Sequence, residues 1–203
     1  MDKKNINKDK LYENLKFFSD ILKEIEHFVF FGTLLGLTRD NNLIDGDDDI
    51  DFYVDIKNRE KIIKILDENN FNFDANVFPN NTPYFLQVKR GNNNEQVLID
   101  FYFYEYNNDD DYIYDKWNFG AEPNSQSKIL KIPKIFIYPV KFITFENIKV
   151  YLPKYDKLVC EYLYGSTWKK ARKKNLEYKI LVSGGRPHFF VVDKKTNKLI
   201  HTP

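Results

Sequence analysis

The chain has 203 residues, 42% of them hydrophobic and 17% aromatic, which is enough for one sizeable hydrophobic core and excludes intrinsic disorder. Its 31 Lys and Arg residues balance 30 Asp and Glu residues, so the chain has no large net charge that would attract nucleic acid or an anionic membrane. A single cysteine and three scattered histidines exclude an internal disulfide and argue against a zinc site, and no stretch resembles a signal peptide or a transmembrane helix.

The first third of the chain is predicted to alternate helices and strands. Apolar residues recur at three- and four-residue spacing in two segments, which is typical of amphipathic helices. Thr33 is expected to cap a short helical turn, and polar residues 39–42 have turn chemistry. The predicted elements are a helix over 9–26, a strand over 27–31, a turn over 34–37, a strand over 49–55 and a helix over 58–69.

The remainder of the chain is predicted to contain mostly strands. The expected elements are strands over 71–73, 84–89 and 97–104, a hairpin of 141–145 with 149–152, a helix over 154–164 ending at Gly165, and a hairpin within the tail HFFVVDKKTNKLIH. No internal repeat or linker is visible. We therefore expect an α+β protein with one domain over residues 1–182 and a C-terminal hairpin over 183–203 packed on it.

The stretch DGDDDIDFYVD concentrates acids at the start of a strand. Side chains at i and i+2 share a face of a strand, so Asp49 and Asp51 point together while Ile50 and Phe52 face the core. Two carboxylates this close repel each other unless a divalent cation neutralises them, and Mg²⁺ favours such oxygen ligands together with phosphates. Asp47 continues the same face. The pattern predicts a metal site.

A third acid interrupts an apolar strand in EQVLIDFYFYEY. If the strand that carries Asp100 lies beside the strand of Asp49 and Asp51, three carboxylates converge. That arrangement suits two-metal phosphoryl transfer, in which ions about 3.5–4 Å apart hold the attacking and leaving oxygens. Asp100 is expected either to bridge a metal or to take the proton from an incoming hydroxyl.

Phosphate-binding groups are predicted just upstream of the acids. Gly32 and Thr33 open a helical turn whose free N–H groups can receive phosphate. Arg39 follows and can add a charge-assisted contact to the same anion.

Other interpretations of the acidic stretch account for it less well. An acidic turn can serve solubility alone, but that explanation accounts poorly for Asp51 and Asp100 inside apolar strands. A calcium loop counted from Asp45 would place Ile50 where glycine is required and Ile56 where glutamate is required. The Walker loop and the dinucleotide glycine motif are both absent.

With these residues identified, the sequence resembles the LicD family of the nucleotidyltransferase superfamily, which includes phosphocholine transferases and fukutin-type ribitol-phosphate transferases. The resemblance spans about residues 28–175 and departs from the family pattern at Gly46 and in the tail. It rests on two ordered blocks with Asp100 between them: Gly32, Thr33, Gly36, Arg39 and residues 47–51, then Pro139, Phe145, Pro153, Tyr164, Gly165 and Trp168.

The resemblance implies a polymerase-beta-like nucleotidyltransferase fold, a mixed sheet flanked by helices. It further implies an enzyme that uses Mg²⁺ or Mn²⁺ to transfer a phospho-alcohol from a CDP-linked donor to a glycan hydroxyl, with release of CMP. Asp49, Asp51 and Asp100 would be catalytic and metal-binding together with Asp47. Gly32, Thr33 and Arg39 would bind the donor's phosphates.

Several alternatives stay open on the sequence. The enzyme could instead move a nucleotide from ATP or CTP, or the fold could be a non-catalytic nucleotide- or glycan-binding module. Tyr164 and Trp168 are either substrate contacts or packing residues, with packing favoured. The basic run over 169–174 is either a solvated face or a contact to a membrane-linked acceptor. The expected location is cytoplasmic, with the inner face of the membrane as the alternative.

Overall fold

The computed structural model describes residues 8–74, 83–91, 96–117, 129–172 and 175–201. Helices and strands both contribute to the fold, which confirms the predicted α+β class. The helices are α1 (Lys8–Ile21), α2 (Phe31–Asp40), α3 (Arg59–Glu68), α4 (Lys134–Ile137) and α5 (Asp156–Tyr164), with a 3₁₀ turn at Ile56–Asn58. The strands are β1 (His27–Val29), β2 (Asp49–Asp55), β3 (Phe73–Asp74), β4 (Phe85–Arg90), β5 (Val97–Tyr106), β6 (Tyr112–Asp115), β7 (Leu130–Pro133), β8 (Lys141–Phe145), β9 (Ile148–Leu152), β10 (Leu176–Ser183), β11 (Arg186–Asp193) and β12 (Leu199–His201).

A seven-stranded mixed sheet forms the centre of the molecule. Its main path runs β1-β2-β5-β4-β3, while β6 pairs with the far end of β5 and β7 pairs with β6. Strands β2 and β5 are parallel, and the other neighbours in this sheet are antiparallel. Parallel neighbours need a long crossover connection, which here contains α3, β3 and β4.

Aromatic side chains fill both faces of the two parallel strands. On one face, Phe52 and Phe101 stack across β2 and β5 at 5.7 Å, and Phe18 from α1 lies 6.0 Å from Phe101. On the other face, the rings of Tyr53 and Tyr104 lie 6.0 Å apart. All five side chains are fully buried, and burying an aromatic of this size contributes about 1.5–3 kcal/mol. The buried carboxylates of Asp51 and Asp100 therefore lie within a largely apolar sheet.

The chain leaves the sheet earlier than predicted after β1. The strand predicted over 27–31 ends at Val29, because α2 begins at Phe31. The predicted cap at Thr33 is wrong, because Thr33 lies inside the first turn of α2. The N–H of Phe30 donates to Asp51 O at 3.1 Å, while Phe30 O already accepts the N–H of Leu34 at 2.9 Å. A continuous apolar run such as 28–37 carries no period that separates strand from helix.

Other boundaries agree to differing degrees with the sequence prediction. The hairpin β8–β9 and helix α5 are confirmed, whereas α1 ends at Ile21 instead of Glu26, and the predicted turn over 39–42 starts inside α2. Strands β6, β7 and β10 and helix α4 were not predicted.

The C-terminal residues form a separate three-stranded antiparallel sheet, β10-β11-β12, that contacts the rest of the chain. The N–H of Lys131 in β7 donates to Gly185 O at 2.9 Å. The ring of Phe189 in β11 lies against Gly165, directly after α5, where a Cβ atom would meet the ring at 1.9 Å. The predicted division at residues 182 and 183 stays a prediction, although β10 pairs with β11 across that point.

We expect Gly165→Ala to destabilise the protein more than Gly184→Ala. Both glycines have positive φ, 78° and 58°, but a Cβ at Gly184 meets nothing within 4 Å. The positive φ costs an alanine about 1–2 kcal/mol at Gly184, and about 1–3 kcal/mol at Gly165, where ψ is −179° and the conformation is nearly restricted to glycine. The overlap with Phe189 should add about 1–3 kcal/mol at Gly165 alone. Urea unfolding of the two variants measures the difference in the free energy of unfolding.

The double variant Gly165→Ala with Phe189→Ala checks the cause. Removing the ring should recover part of the extra loss, which appears as a coupling energy in a double-mutant cycle. Equal destabilisation by Gly165→Ala and Gly184→Ala would contradict the close packing of β11 on α5.

Candidate active site

The parallel pairing of β2 and β5 brings three predicted acids together. In this register Asp51 lies directly opposite Asp100, and Asp49 shares their face of the sheet. Carboxylate oxygens of Asp49, Asp51 and Asp100 all lie within 4.8 Å of one another. Asp51 and Asp100 are buried, with 3% and 6% of their surface exposed. The predicted convergence of the three carboxylates is confirmed.

A second group of acids adjoins the first through Asp49. Oxygens of Asp47, Asp48 and Asp49 also lie within 4.8 Å of one another, with Asp48 exposed and the other two half-buried. Asp47 was predicted as a ligand, and Asp48 was not. Asp49 can therefore contribute to either of two neighbouring cation positions.

Burial and mutual repulsion make these carboxyl groups hold their protons unusually tightly. Desolvation, reinforced by Asp47 and Asp100, raises the pKa of Asp49 to about 8. Burial, reinforced most strongly by the charge of Asp49, raises the pKa of Asp51 well above its ordinary value. Burial raises the pKa of Asp100 to about 6, while a hydrogen bond donated by Gln87 Nε2 to Asp100 Oδ1 at 2.9 Å opposes the rise. A divalent cation would relieve the repulsion.

The first turn of α2 abuts the acids. The N–H of Thr33 donates to Asp51 Oδ2 at 3.3 Å, and the N–H of Asp51 donates to Thr33 Oγ1 at 2.9 Å. A Cβ at Gly32 would lie 2.9 Å from Asp47 Oδ2, so a larger residue would crowd that carboxylate. The positive end of the helix dipole favours the negative charges beside it. Gly32 and Thr33 thus hold the acids in place, and their phosphate-binding role stays a prediction.

Asp47, Asp49 and Asp51 line a cavity of about 290 Å³. Tyr164, one of the two predicted substrate contacts, is among the lining residues. Aromatic and apolar side chains from distant parts of the chain form its walls above the acids. The cavity is lined by Phe31, Gly32, Asp47, Asp49, Asp51, Tyr102, Trp117, Tyr164, Tyr178 and Ile180.

Trp117 is positioned by a buried carboxyl group. The backbone N–H of Trp117 donates to Asp115 Oδ1 at 2.8 Å, and the hydroxyl of Tyr53 donates to the other oxygen, Oδ2. Asp115 is fully buried, which raises its pKa to about 8. The indole of Trp117 also packs on Tyr102, with ring centroids 5.1 Å apart. Asp115 therefore connects the aromatic core to the cavity wall.

Sequence reasoning missed most of the cavity wall. Tyr102 lies two residues after Asp100 on the same face of β5, so strand periodicity could have identified it. Trp117 follows β6 and Tyr178 belongs to β10. Neither strand was predicted, and in sequence these aromatics look like any packing residue.

Two predicted site residues, Arg39 and Trp168, are not among the residues that line this cavity. Arg39 occupies the last turn of α2, at the opposite end of the helix from Gly32. Its guanidinium donates two hydrogen bonds to Asp40, at 2.9 and 2.7 Å. Trp168 is 3% exposed and packs in the core, as the packing interpretation expects. Asp100, which lies opposite Asp51 in the sheet, and Thr33, which is hydrogen-bonded to Asp51, are also not among the lining residues.

A larger cavity, of about 810 Å³, lies between α1 and the β8–β9 hairpin. Its lining includes Phe17, Ser19, Arg90 and Tyr151, and it contains none of the predicted site residues. Size alone therefore does not identify the site; the convergent carboxylates do.

The chain is similar to a solved structure and to a protein family. The solved crystal structure of the lincosamide antibiotic adenylyltransferase LnuA with lincomycin bound is similar over 74% of this chain and 82% of that chain, at 15% identity and a TM-score of 0.47. No curated protein matches the sequence.

The family model described as "LicD/FKTN/FKRP, nucleotidyltransferase domain" matches residues 24–155. That segment contains all the clustered acids but ends before Tyr164, Trp168 and the C-terminal sheet. Since the match covers more than half of the chain, the protein belongs to the LicD/FKTN/FKRP family and carries its nucleotidyltransferase domain.

Proposed function

We propose that the protein is a metal-dependent transferase that moves a phospho-alcohol from a CDP-linked donor to a hydroxyl of a glycan and releases CMP. The observation that carries the proposal is the convergence of Asp49, Asp51 and Asp100 inside a nucleotidyltransferase domain. Buried carboxylates are costly unless a cation or a partner compensates them. Asp49 and Asp51 line a cavity, with Asp100 beside them, and clustered acids with raised pKa values in a cavity are typical of functional sites.

The carboxylate oxygens of the cluster are suitable ligands for a hard divalent cation. Asp49, Asp51 and Asp100 offer carboxylate oxygens within reach of one ion, and Asp47 with Asp48 extends the set, which suits Mg²⁺ or Mn²⁺. When bound, the ion would neutralise the carboxylates and the charge that develops on the diphosphate.

Asp100 is proposed as the proton acceptor. A carboxylate takes a proton from a hydroxyl that lies within hydrogen-bond reach, and Gln87 fixes the orientation of Asp100 through Oδ1. The acceptor hydroxyl oxygen forms a bond to the phosphorus that carries the alcohol, and its proton passes to the Asp100 carboxylate. The bond between that phosphorus and the bridging oxygen breaks, and the oxygen leaves with CMP.

The N-terminal end of α2 is proposed to bind the donor's phosphates. Gly32 lines the cavity beside Asp47, and helix N-termini favour anions. Arg39 would act from the other end of the helix, where it would have to share its guanidinium between Asp40 and a phosphate. Trp168 would support this region from the core instead of contacting substrate.

The acceptor and the location are further parts of the proposal. Within the described parts of the chain, no helix is both long and apolar enough to cross a bilayer. We propose a cytoplasmic enzyme whose glycan acceptor can be membrane-linked. The exposed side chains of Lys169 and Lys170 supply positive charge for peripheral contact with an anionic membrane surface.

Product analysis distinguishes the reaction classes. The protein is incubated with CDP-choline, CDP-ribitol, CDP-glycerol, CTP or ATP, with Mg²⁺ or EDTA, and products are measured by mass spectrometry. We expect slow CMP release from one CDP-alcohol through transfer to water, and none with EDTA. Pyrophosphate from CTP or ATP would mean that the nucleotide itself moves, and would contradict the proposed reaction.

Substitution of the acids tests their roles in that assay. Asp49→Asn, Asp51→Asn and Asp100→Asn should each lower CMP release by at least about 100-fold, because each removes a charge that holds the metal or takes the proton. Asp109→Asn is the matched control, since Asp109 is exposed in the loop after β5. Retained activity in Asp51→Asn would contradict the proposed site.

Metal binding should abolish a loss of stability that metal-free protein shows as pH rises. Because the pKa of Asp49 rises to about 8 and that of Asp100 to about 6 on folding, the native state binds more protons than the unfolded state between about pH 4 and 8. Metal-free protein should therefore lose stability as pH rises through this range. With excess Mg²⁺ the loss should disappear, since the cation binds the ionised carboxylates. Thermal unfolding from pH 5 to pH 8.5, with EDTA or Mg²⁺, measures the difference.

The expected separation of the two melting profiles is a few degrees at pH 8, at about 2–4 °C per kcal/mol for a chain of this size. In the Asp49→Asn variant, the melting temperature in EDTA should fall less steeply with rising pH, because one carboxyl group with a raised pKa has been removed. Superimposable profiles in EDTA and Mg²⁺ would show that the acids do not bind the cation.

A further inference from the structure

The C-terminal sheet, which lies outside the family-matched segment, contributes a wall of the acid cavity. Strand β10 places Tyr178 and Ile180 among the cavity-lining residues. Val182 continues this face and is buried, whereas Leu181 on the opposite face is 46% exposed. The docking of Phe189 on Gly165 and of Gly185 on Lys131 fixes the sheet in this position.

Tyr178 is held rigidly before any ligand arrives. Its ring lies 5.1 Å from the ring of Tyr164. Its hydroxyl accepts a hydrogen bond from Arg172 Nε at 3.2 Å and donates to Lys170 O at 3.4 Å. Arg172 is itself anchored, because its NH2 group donates to Thr167 Oγ1 at 2.7 Å. A side chain fixed in this way loses little conformational freedom on binding.

The floor and the walls of the cavity differ in chemistry. The floor consists of Asp47, Asp49 and Asp51, whereas the described walls above it are aromatic or apolar, with Trp117, Tyr164, Tyr178 and Ile180. The volume of about 290 Å³ lies at the small end of the range for ligand pockets. Such a cavity suits one planar group joined to a phosphate, instead of donor and glycan together.

We propose that β10 supplies the wall that contacts the nucleobase of the donor, with Tyr178 and Ile180 as substrate-contacting residues. The inference rests on the proposed function only in requiring a nucleotide donor, and it holds whether the phospho-alcohol or the nucleotide moves. Aromatic rings contact any base through its π-face. The wall would therefore increase the affinity for any nucleotide, while other groups would discriminate between bases.

The test compares CMP, which has a phosphate and a base, with inorganic pyrophosphate, which has phosphate groups but no base. Isothermal titration calorimetry measures the affinity for CMP and for inorganic pyrophosphate, both with Mg²⁺. Tyr178→Ala should weaken CMP binding by about 5- to 150-fold, the range for loss of one base–aromatic contact. It should leave pyrophosphate affinity within about twofold. Tyr178→Phe keeps the ring and should bind CMP within about threefold of the native protein, and Ile180→Ala should weaken CMP binding less than Tyr178→Ala does.

Matched controls lie on the opposite face of the same strand. Lys179→Ala and Leu181→Ala alter residues that point away from the cavity-lining face, and both should leave CMP affinity unchanged. Asp49→Asn should weaken the binding of both ligands, because it removes a metal ligand.

The outcomes separate this inference from the proposed function. Native protein that binds CMP with Mg²⁺ and a Tyr178→Ala variant that binds it equally well would overturn the inference and leave the function standing. Equal weakening of CMP and pyrophosphate binding in Tyr178→Ala would also overturn it, since Tyr178 would then stabilise the site as a whole and would not contact the base. Native protein that binds neither ligand with Mg²⁺ would overturn both.

Discussion

Repulsion between buried carboxylates is the constraint on which this structure depends. Asp51 and Asp100 face each other across the parallel strands β2 and β5, with Asp49 beside them. Burial and mutual charge raise the pKa of all three groups. An uncompensated charge in such a place costs several kcal/mol, so the cluster weakens the metal-free fold. The surrounding aromatic core must offset that cost.

The elements around the acids serve to hold this arrangement. The first turn of α2 forms reciprocal hydrogen bonds between Thr33 and Asp51, and Gly32 allows the helix to approach Asp47 closely. Gln87 on the neighbouring strand orients Asp100. The family-matched segment thus builds the acidic floor, while α5 and the C-terminal sheet add the walls with Tyr164 and Tyr178. In the proposed complex, the floor would contact the phosphates of the nucleotide and the walls would contact its base.

The sequence predicted the floor far better than the walls. Asp49, Asp51 and Asp100 could be found because a charge inside an apolar strand is rare and because strand periodicity assigns each side chain to a face. The position of Tyr178 depends on how β10 pairs with β11 and docks on α5, which no local pattern encodes. The start of α2 at Phe31 was missed because the apolar run before it has no period. Arg39 was placed near the acids by its position in the sequence, but the ten-residue length of α2 puts it at the far end of the helix.

The most direct test of the account is the position of a bound Mn²⁺ ion, determined from its anomalous scattering in crystals of the protein. The account predicts a peak between Asp49, Asp51 and Asp100, with carboxylate oxygens at about 2.0–2.2 Å and loss of the peak in Asp51→Asn. Mn²⁺ bound only at the exposed Asp48, or no bound ion beside these acids, would contradict the claim that their convergence makes a metal centre.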